Sequence, residues 1–308
     1  MRDLPSELLT GPFTVRRAAE LGVPEHVLRS RRFRTPVRGV RVPAQLPATA
    51  SLACAAHALV LPPEAAFSHA TALGLHELPL PLGFGDSRLH VSVPTTRAAP
   101  TLSTVVAHQV SWLDGDVRHL AGLRVTTVER TLCDLAASGW PLVDLVVVAD
   151  AALRRGRCTA PDRLARRLEA RAGQRGARRL RDVLQLAETA VDSPMETRLR
   201  LLLLAAGLPR PVVNQPVRAP EDGAYLHTPD LSWPAWRVAV DYDGAHHFAT
   251  SGPDGDWRRR QDVARQELLQ ENGWVLRIMT ATDVLRRPDL AVDRVRDALR
   301  SRGAPVER

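Results

Sequence analysis

The stretch from Ser193 to Asp243 constrains the fold of this chain more than any other part of the sequence. It begins with Ser193-Pro194-Met195-Glu196, where a serine can cap a helix, a proline takes the first helical position and an acid takes the third. A glycine and a proline then end the helix, and short apolar runs follow at residues 212–217, 227–233 and 236–243. This order of helix, strand, hairpin strand and central strand predicts an α/β domain.

Four acids fall at the ends of these elements. Glu196 lies in the first turn of the helix, Asp230 precedes the hairpin strand, and Asp241 and Asp243 end the central strand. Mg²⁺ prefers hard oxygen ligands and keeps several waters, so two or three converging carboxylates suffice to hold it. The pattern therefore predicts a site for Mg²⁺ (or Mn²⁺), with Asp230 and Asp241 as the main ligands and Glu196 holding a metal-bound water or a second ion. The alternative is that these acids only bond backbone amides at a helix cap, a turn and a strand end.

The same stretch resembles the PD-(D/E)XK nuclease superfamily, most closely its very-short-patch-repair-like (Vsr-like) branch. The residues that carry the resemblance follow the order of the family motifs: Glu196, Pro229-Asp230, Asp241-Tyr242-Asp243, Gly244-Ala245-His246-His247-Phe248, Asp262, Arg265 and Gly273-Trp274-Val275-Leu276-Arg277. The resemblance implies a restriction-endonuclease-like α/β domain with a mixed central sheet, which hydrolyses phosphodiester bonds of DNA. It also implies that His246 or His247 shuttles a proton and that Arg265 steadies phosphate charge.

One position departs from the superfamily pattern. The pattern places a lysine two residues after the second acid, where this chain has Asp243, and the chain contains no lysine at all. The Vsr-like branch dispenses with that lysine and relies on histidine. Two functions therefore stay open: a metal-dependent endonuclease, or a non-catalytic DNA-binding transcriptional regulator or antitoxin-like protein with a degenerate nuclease domain. A nuclease acting on RNA is a third.

The first 43 residues have the pattern of a winged helix-turn-helix, with short helices followed by two strands. Residues 13–23 and 24–32 have helical spacing and are separated by a turn at Gly22, and residues 33–43 alternate basic and apolar side chains around Gly39. The segment resembles the N-terminal domain of AbiEi-type antitoxins, with Thr14 to Val23 as the positioning helix and Glu25 to Arg32 as the recognition helix. The arginines expected to contact DNA are Arg16, Arg17, Arg29, Arg31, Arg32, Arg38 and Arg41. A solvated basic face is the alternative.

The middle of the chain reads as an α+β domain that also resembles AbiEi-type proteins. Helices are predicted at residues 49–60 and 65–74 and after the capping Thr127, and strands at residues 89–94, 105–110 and 123–127. The histidines of this region lack the spacing typical of metal ligands, so the sequence predicts ordinary roles for His57, His69, His76, His90, His108 and His119. Residues 160–185 are dense in arginine, and a solvated linker is favoured over a grip on a nucleic-acid backbone.

Length and composition agree with a soluble multidomain chain. A chain of 308 residues is too long for one small core. We therefore expect an α/β and α+β multidomain protein with a winged helix-turn-helix at residues 1–47, a middle domain at 48–158, an arginine-rich helical linker at 159–192 and a nuclease-like domain at 193–308. The net charge of +8 favours DNA as a partner. The cysteines lack a paired motif, no signal pattern opens the chain and no apolar run is long enough to span a membrane, so we expect a cytoplasmic protein without a membrane anchor.

Overall fold

The computed structural model describes residues 4–154, 157–244 and 263–307. It is a mixed α/β structure with several sheets. Its contacts divide the chain into two compact units, Met1–Trp140 with Asp162–Leu180 and Pro141–Pro161 with Arg181–Arg308. The segment predicted as a linker, residues 159–192, is thus divided between the two units.

The N-terminal part of the first unit is a small three-stranded antiparallel sheet with two short helices. Its elements are β1 (Phe13–Thr14), α1 (Val15–Glu20), α2 (Glu25–Leu28), β2 (Phe33–Arg34) and β3 (Val40–Pro43), and the strand order is β1-β3-β2. The rings of Phe13 and Phe33 meet edge to face, with centroids 5.4 Å apart. The predicted helix at residues 13–23 begins only at Val15, because Phe13 and Thr14 pair with β3. The second helix ends at Leu28, four residues before the predicted end at Arg32.

The rest of the first unit is built on a five-stranded mixed sheet. Its strands are β4 (Ala66–Phe67), β5 (Leu89–Pro94), β6 (Val105–Val110), β7 (Val117–Leu120) and β8 (Leu123–Thr126), in the order β6-β5-β4-β8-β7. Its helices are α3 (Ala50–Ala58), α4 (His69–Leu75), α5 (Val128–Ala137) and α7 (Pro161–Glu169). The predicted strands and the Thr127 cap are confirmed, with Thr127 Oγ1 accepting from the Arg130 backbone N–H. The predicted helix at residues 65–74 begins only at His69, because Ala66 and Phe67 join the sheet.

A buried ionic cluster ties α5 and the arginine-rich segment to the loop before β7. The carboxylate of Asp116 is completely buried and forms ion pairs with Arg130 (2.7 Å), Arg167 (2.9 Å) and Arg171 (2.6 Å). Arg130 also pairs with Asp134 at 2.8 Å. The expectation of a solvated linker face is therefore wrong for Arg167 and Arg171, which act as counter-charges inside the unit.

Asp134 makes the stability of the protein depend on pH. Its Oδ1 accepts from Arg130, whereas Oδ2 accepts no hydrogen bond within the described residues. Burial raises the pKa of Asp134 to about 6, against the opposing attraction of Arg130 and Arg171. Since the folded state binds this proton more tightly than the unfolded state, its stabilising effect is present below about pH 4 and is lost as pH rises to about 6.

We therefore expect the Asp134→Asn variant to gain stability relative to the wild type between pH 4 and pH 6. A pKa difference of about two units corresponds to a relative gain of roughly 3 kcal/mol in the free energy of unfolding. Urea unfolding of both proteins at several pH values measures it, because the titration of all other groups cancels in the difference. A difference that stays constant over this range contradicts the assignment of the shift to Asp134.

The second unit has a four-stranded mixed sheet with helices against it. Its helices are α6 (Leu142–Leu153), α9 (Pro194–Ala205), α10 (residues 263–271), α11 (Ala281–Arg286) and α12 (Pro288–Ser301). One further helix, α8 (Ala177–Leu186), begins in the first unit and ends in the second. Its strands are β9 (Val212–Val213), β10 (Val217–Arg218), β11 (Tyr225–His227), β12 (Leu231–Trp233), β13 (Val238–Asp243) and β14 (Val275–Thr280). Strands β10 and β11 form a separate hairpin.

The sheet order β14-β13-β12-β9 combines one parallel pair with two antiparallel pairs. Strands β13 and β14 are parallel, and β12 is antiparallel to both β13 and β9. Leu231, Trp233, Val238 and Val240 pack into an apolar core with α9 and α12. The predicted Ser193 cap is confirmed, since Ser193 Oγ accepts from the Glu196 backbone N–H. Among the described residues, no helix has the length and apolar character needed to cross a membrane.

Candidate functional site

Strand register brings two of the predicted acids together on one face of the second unit's sheet. Leu231 pairs with Val240 across the antiparallel β12–β13 ladder, so the next pair of positions places Asp230 opposite Asp241. Leu231 and Val240 point into the apolar core. Because side chains alternate along a strand, Asp230 and Asp241 face the opposite side of the sheet.

Asp230 lies where an isolated negative charge is unfavourable. Its Oδ2 accepts a hydrogen bond of 2.6 Å from the Tyr242 backbone N–H. Burial first, and then the charges of Glu196 and Asp241, raise the pKa of Asp230 to about 7, although the bond from Tyr242 opposes them. The ligand atoms of Glu196, Asp230 and Asp241 do not all lie within 4.8 Å of one another, so an ion held by all three would require these side chains to move closer together. The donor set of hard carboxylate oxygens fits a divalent ion such as Mg²⁺.

Glu196 enters this group from the first turn of α9. Its side chain is buried, and its Oε2 accepts from the Asp192 backbone N–H (3.0 Å) and from Nδ2 of Asn214 (3.1 Å). Asn214 follows β9 in the left-handed region (φ 47°), and its backbone N–H donates to the carbonyl of Asp230 at 3.0 Å. Asn214 thus holds the Glu196 and Asp230 segments in one arrangement. A cleft of about 470 Å³ borders Asp192 and Asn214.

Asp241 is held by a histidine and an arginine. Nε2 of His227, on β11, lies 3.1 Å from Oδ1 and 2.8 Å from Oδ2 of Asp241. Nη1 of Arg265 lies 3.5 Å from Oδ2. Arg265 reaches this position because Leu269, one turn further along α10, packs in a small core with Ala239 of β13. The structure therefore places Arg265 beside the acids, as the sequence predicts.

His227 and Asn214 are contacts of the acids that sequence reasoning missed. His227 precedes Asp230 by three residues, but this short spacing has no motif value by itself. Asn214 offered a weak signal, because asparagine tolerates a left-handed backbone at the end of a strand. Neither contact follows from local pattern, since both depend on how β9, β11 and β13 come together.

The remaining predicted site residues have different positions. Asp243 is half-buried at the end of β13. The pKa of the neighbouring Tyr242 is raised, first by the burial of its own hydroxyl group and then by the negative charge of Asp243. Asp243 is thus the second acid of this strand, after Asp241. The predicted His246 and His247 lie outside the described residues, as does Asp262.

The predicted DNA-binding arginines lie in the N-terminal part of the first unit. Six of them are exposed: Arg16, Arg17, Arg29, Arg31, Arg32 and Arg38. Some of their charge is compensated locally, because Arg16 and Arg17 pair with Glu20 and Arg29 pairs with Glu25. Arg41 differs, since its guanidinium is half-buried and donates to the carbonyls of Leu28 (2.9 Å) and Val40 (3.0 Å). Arg41 therefore links the end of α2 to β3 through these hydrogen bonds.

Comparisons with known proteins give relatives without a described activity. No family model matches the chain. It is 27% identical over 216 residues to two proteins of Mycobacterium tuberculosis, uncharacterized protein MT2308 of strain CDC 1551 / Oshkosh and uncharacterized protein Rv2248 of strain ATCC 25618 / H37Rv, which covers 67% of this chain and 72% of each relative. Among solved structures, the RV2827C protein of the same organism matches with a TM-score of 0.44 and 19% identity over 73% of this chain and 92% of that chain.

Proposed function

We propose that this protein is a divalent-metal-dependent endonuclease that hydrolyses phosphodiester bonds of DNA. The observation that carries the proposal is that the strand register places Asp230 opposite Asp241, where burial, followed by the charges of Glu196 and Asp241, raises the pKa of Asp230. A bound cation would offset the repulsion between these carboxylates.

The order of elements in the second unit supports the same proposal. Helix α9 is followed by β9, by the antiparallel pair β12–β13 and by β14 parallel to β13. The Vsr-like resemblance implies a restriction-endonuclease-like domain with a mixed central sheet, and the mixed sheet of this unit agrees with that expectation. In the first unit, β1, α1, α2, β2 and β3 follow one another with a β1-β3-β2 sheet, which supports a winged helix-turn-helix that directs the protein to DNA.

In this proposal each residue of the acidic site has a separate role. Asp230 and Asp241 hold Mg²⁺ or Mn²⁺, and Glu196 orients a water molecule. When bound there, such an ion would supply polarisation of the phosphate and stabilisation of the leaving oxygen. His227 fixes the orientation of Asp241 through its Nε2 contacts, and Arg265 lies close enough to Asp241 to stabilise phosphate charge. His246 or His247 remains the proposed proton shuttle.

A second candidate function is a DNA-binding regulator whose nuclease-like domain is inactive. The observation that favours it is Asp243, which stands at the position of the superfamily lysine. An acid there adds negative charge where a lysine would stabilise the phosphate. The two functions share an affinity for DNA and differ in whether the acids are needed for a covalent change.

Cleavage by the purified protein tests the proposal. Supercoiled, linear and mismatch-containing DNA and an RNA of the same sequence are incubated with Mg²⁺, Mn²⁺ or EDTA. We expect metal-dependent nicking of DNA that falls on the order of 100-fold or more in Asp241→Asn, because several kcal/mol of transition-state stabilisation depend on the ion. The matched control is Asp222→Asn, an exposed carboxylate before β11. A wild type that binds DNA but is inert with both metals supports the regulator instead, and cleavage confined to RNA changes the substrate class.

A further inference from the structure

A second group of potential metal ligands lies in the first unit, far along the chain from the acids. His69 begins α4, His90 lies on β5 and His108 lies on β6. Their ring nitrogens include a set that lies within 4.8 Å of one another. The sequence predicts ordinary roles for these histidines because their spacing matches no metal motif. The fold nevertheless brings the three side chains close together, which their separation along the sequence did not indicate.

The sheet register explains why the three rings meet. In the parallel β5–β6 pair, Ser92 is the partner of His108. His90 lies two residues before Ser92, so both histidines point to the same face. That face is opposite the apolar core, which contains Val91. His69 reaches it from the start of α4, and its ring stacks on His108 with a centroid distance of 3.8 Å.

The distances suit imidazole ligands of one ion. Nδ1 of His90 lies 3.1 Å from Nε2 of His108. In a tetrahedral zinc site with Zn–N distances of about 2.0 Å, two ligand nitrogens are about 3.3 Å apart. A hydrogen bond between two neutral imidazoles has a similar length, so this distance by itself does not choose between the two arrangements.

The surroundings of the rings favour the metal. Metal-ligating histidines usually bond a second group through their other nitrogen. Nδ1 of His69 lies 2.9 Å from Ser68 Oγ, which also accepts from Ser92 Oγ at 2.8 Å. On the far side of His90, its Nε2 lies 3.9 Å from a carboxylate oxygen of Asp86. The hydroxyl pair is therefore placed as an outer partner of His69, whereas Nε2 of His90 has no hydrogen-bond partner among the described residues and Asp86 is its nearest charged neighbour.

Backbone strain at His69 points in the same direction. This residue has a φ of +51°, a left-handed conformation that is uncommon for residues other than glycine, although histidine, asparagine and aspartate adopt it more often than most. The side chain is nevertheless buried, with 5% of its surface exposed. Residues held in strained backbone conformations cluster at functional sites, because the surrounding structure must compensate for their cost.

We propose that His69, His90 and His108 form a binding site for a borderline divalent transition metal ion, with Zn²⁺ as the probe. Imidazole nitrogens suit Zn²⁺ better than Mg²⁺. Three histidines leave a fourth position for water or another ligand. The ion joins α4 to strands β5 and β6, so its binding raises the thermal stability of the first unit. The proposal is independent of the nuclease proposal, since it uses none of the acids of the second unit.

Zinc titration of the 308-residue chain without an affinity tag tests the site. The protein is stripped with EDTA, dialysed and titrated with Zn²⁺ in a calorimeter, and its melting temperature is followed in parallel. We expect one Zn²⁺ per chain at this site and a higher melting temperature. Affinity is expected to fall on the order of 100-fold in His90→Gln and His108→Gln, because each loses a ligand. His69→Asn is the matching change at the third position, since asparagine tolerates the left-handed backbone.

Two controls separate this site from the others. The exposed His119→Gln variant is expected to bind Zn²⁺ like the wild type. Asp230→Asn, in the acidic site, is also expected to keep this binding. A wild type that binds no Zn²⁺, histidine variants that bind as before, or binding that disappears with Asp230 each overturn the proposal. If the histidine variants do not fold, the visible absorption spectrum of Co²⁺ bound to the wild type provides a second test. Intense bands, typical of four-coordinate Co²⁺ with nitrogen ligands, support the proposal. Weak bands, typical of six-coordinate Co²⁺ with oxygen ligands, contradict it.

Discussion

Replacing Asp230 with asparagine is expected to reduce metal-dependent DNA cleavage on the order of 100-fold or more while leaving the protein folded. The amide oxygen of asparagine can still accept the hydrogen bond from the Tyr242 backbone N–H. What is lost is one of the negative charges that attract the cation. Because several kcal/mol of transition-state stabilisation depend on a bound ion, its loss has a large effect on rate.

The same substitution is not expected to destabilise the metal-free protein. Asp230 repels Glu196 and Asp241 when it is ionised, and burial disfavours its charge further. An uncharged group of the same shape removes both effects. Cleavage rates, circular dichroism and the rise in melting temperature on adding Mg²⁺ measure the three parts of this prediction. The Mg²⁺-dependent rise is expected in the wild type and absent in the variant.

Asp192→Asn is the matched control for Asp230. Its charge also acts on Asp230, but its side chain is exposed and pairs with Arg154 at 2.7 Å. The control therefore changes the electrostatics of the neighbourhood without removing a proposed ligand, and a change of no more than a few-fold in cleavage is expected. Equal losses in Asp230→Asn and Asp192→Asn would mean that general charge, and not metal ligation, explains the effect.

Asp116→Asn is expected to have the largest effect on stability. The carboxylate of Asp116 is fully buried, pairs with Arg130, Arg167 and Arg171, and accepts from the Leu113 backbone N–H at 2.8 Å. Without it, Arg130 keeps its pair with Asp134, whereas the other two lose the counter-charge they share. Breaking a buried pair by removing one partner costs about 3 to 5 kcal/mol.

Urea unfolding of the wild type and Asp116→Asn measures this loss. Since the protein has two units and six tryptophans, a probe specific to the first unit is needed, and hydrogen exchange of the backbone amides of α5, which contains Arg130, provides one. The control is Asp162→Asn, which breaks the exposed pair between Asp162 and Arg166 and is expected to leave the urea midpoint nearly unchanged, because water and salt screen exposed pairs. Similar losses in both variants would contradict a special role for the buried cluster.

Local pattern in the sequence predicted several elements correctly. The caps at Thr127 and Ser193 begin helices as expected, because a hydroxyl side chain satisfies a free backbone N–H whatever the rest of the fold does. The strand at residues 89–94 matches its predicted bounds. The errors came where two residues such as Phe13-Thr14 and Ala66-Phe67 pair with distant strands. Such short strands have no periodicity of their own.

Part of the candidate site was also accessible from local pattern. Acids at the ends of consecutive elements indicated that Asp230 and Asp241 come close, because antiparallel neighbours bring such ends together. The contacts of His227 and Asn214 were not accessible. They depend on the position of the β10–β11 hairpin and on the turn after β9, neither of which follows from residue type.

By itself, the sequence determined the helix caps and several of the strands, because these depend on neighbours within a few residues. Only the tertiary structure decided that Arg167 and Arg171 neutralise Asp116 and that His69, His90 and His108 meet. The physical reason is that the partners are joined by strand pairing and burial across intervals of 18 to 55 residues. When two residues are this far apart in the sequence, their sequence separation does not indicate their distance in the fold. The register of the sheet sets which side chains are in contact.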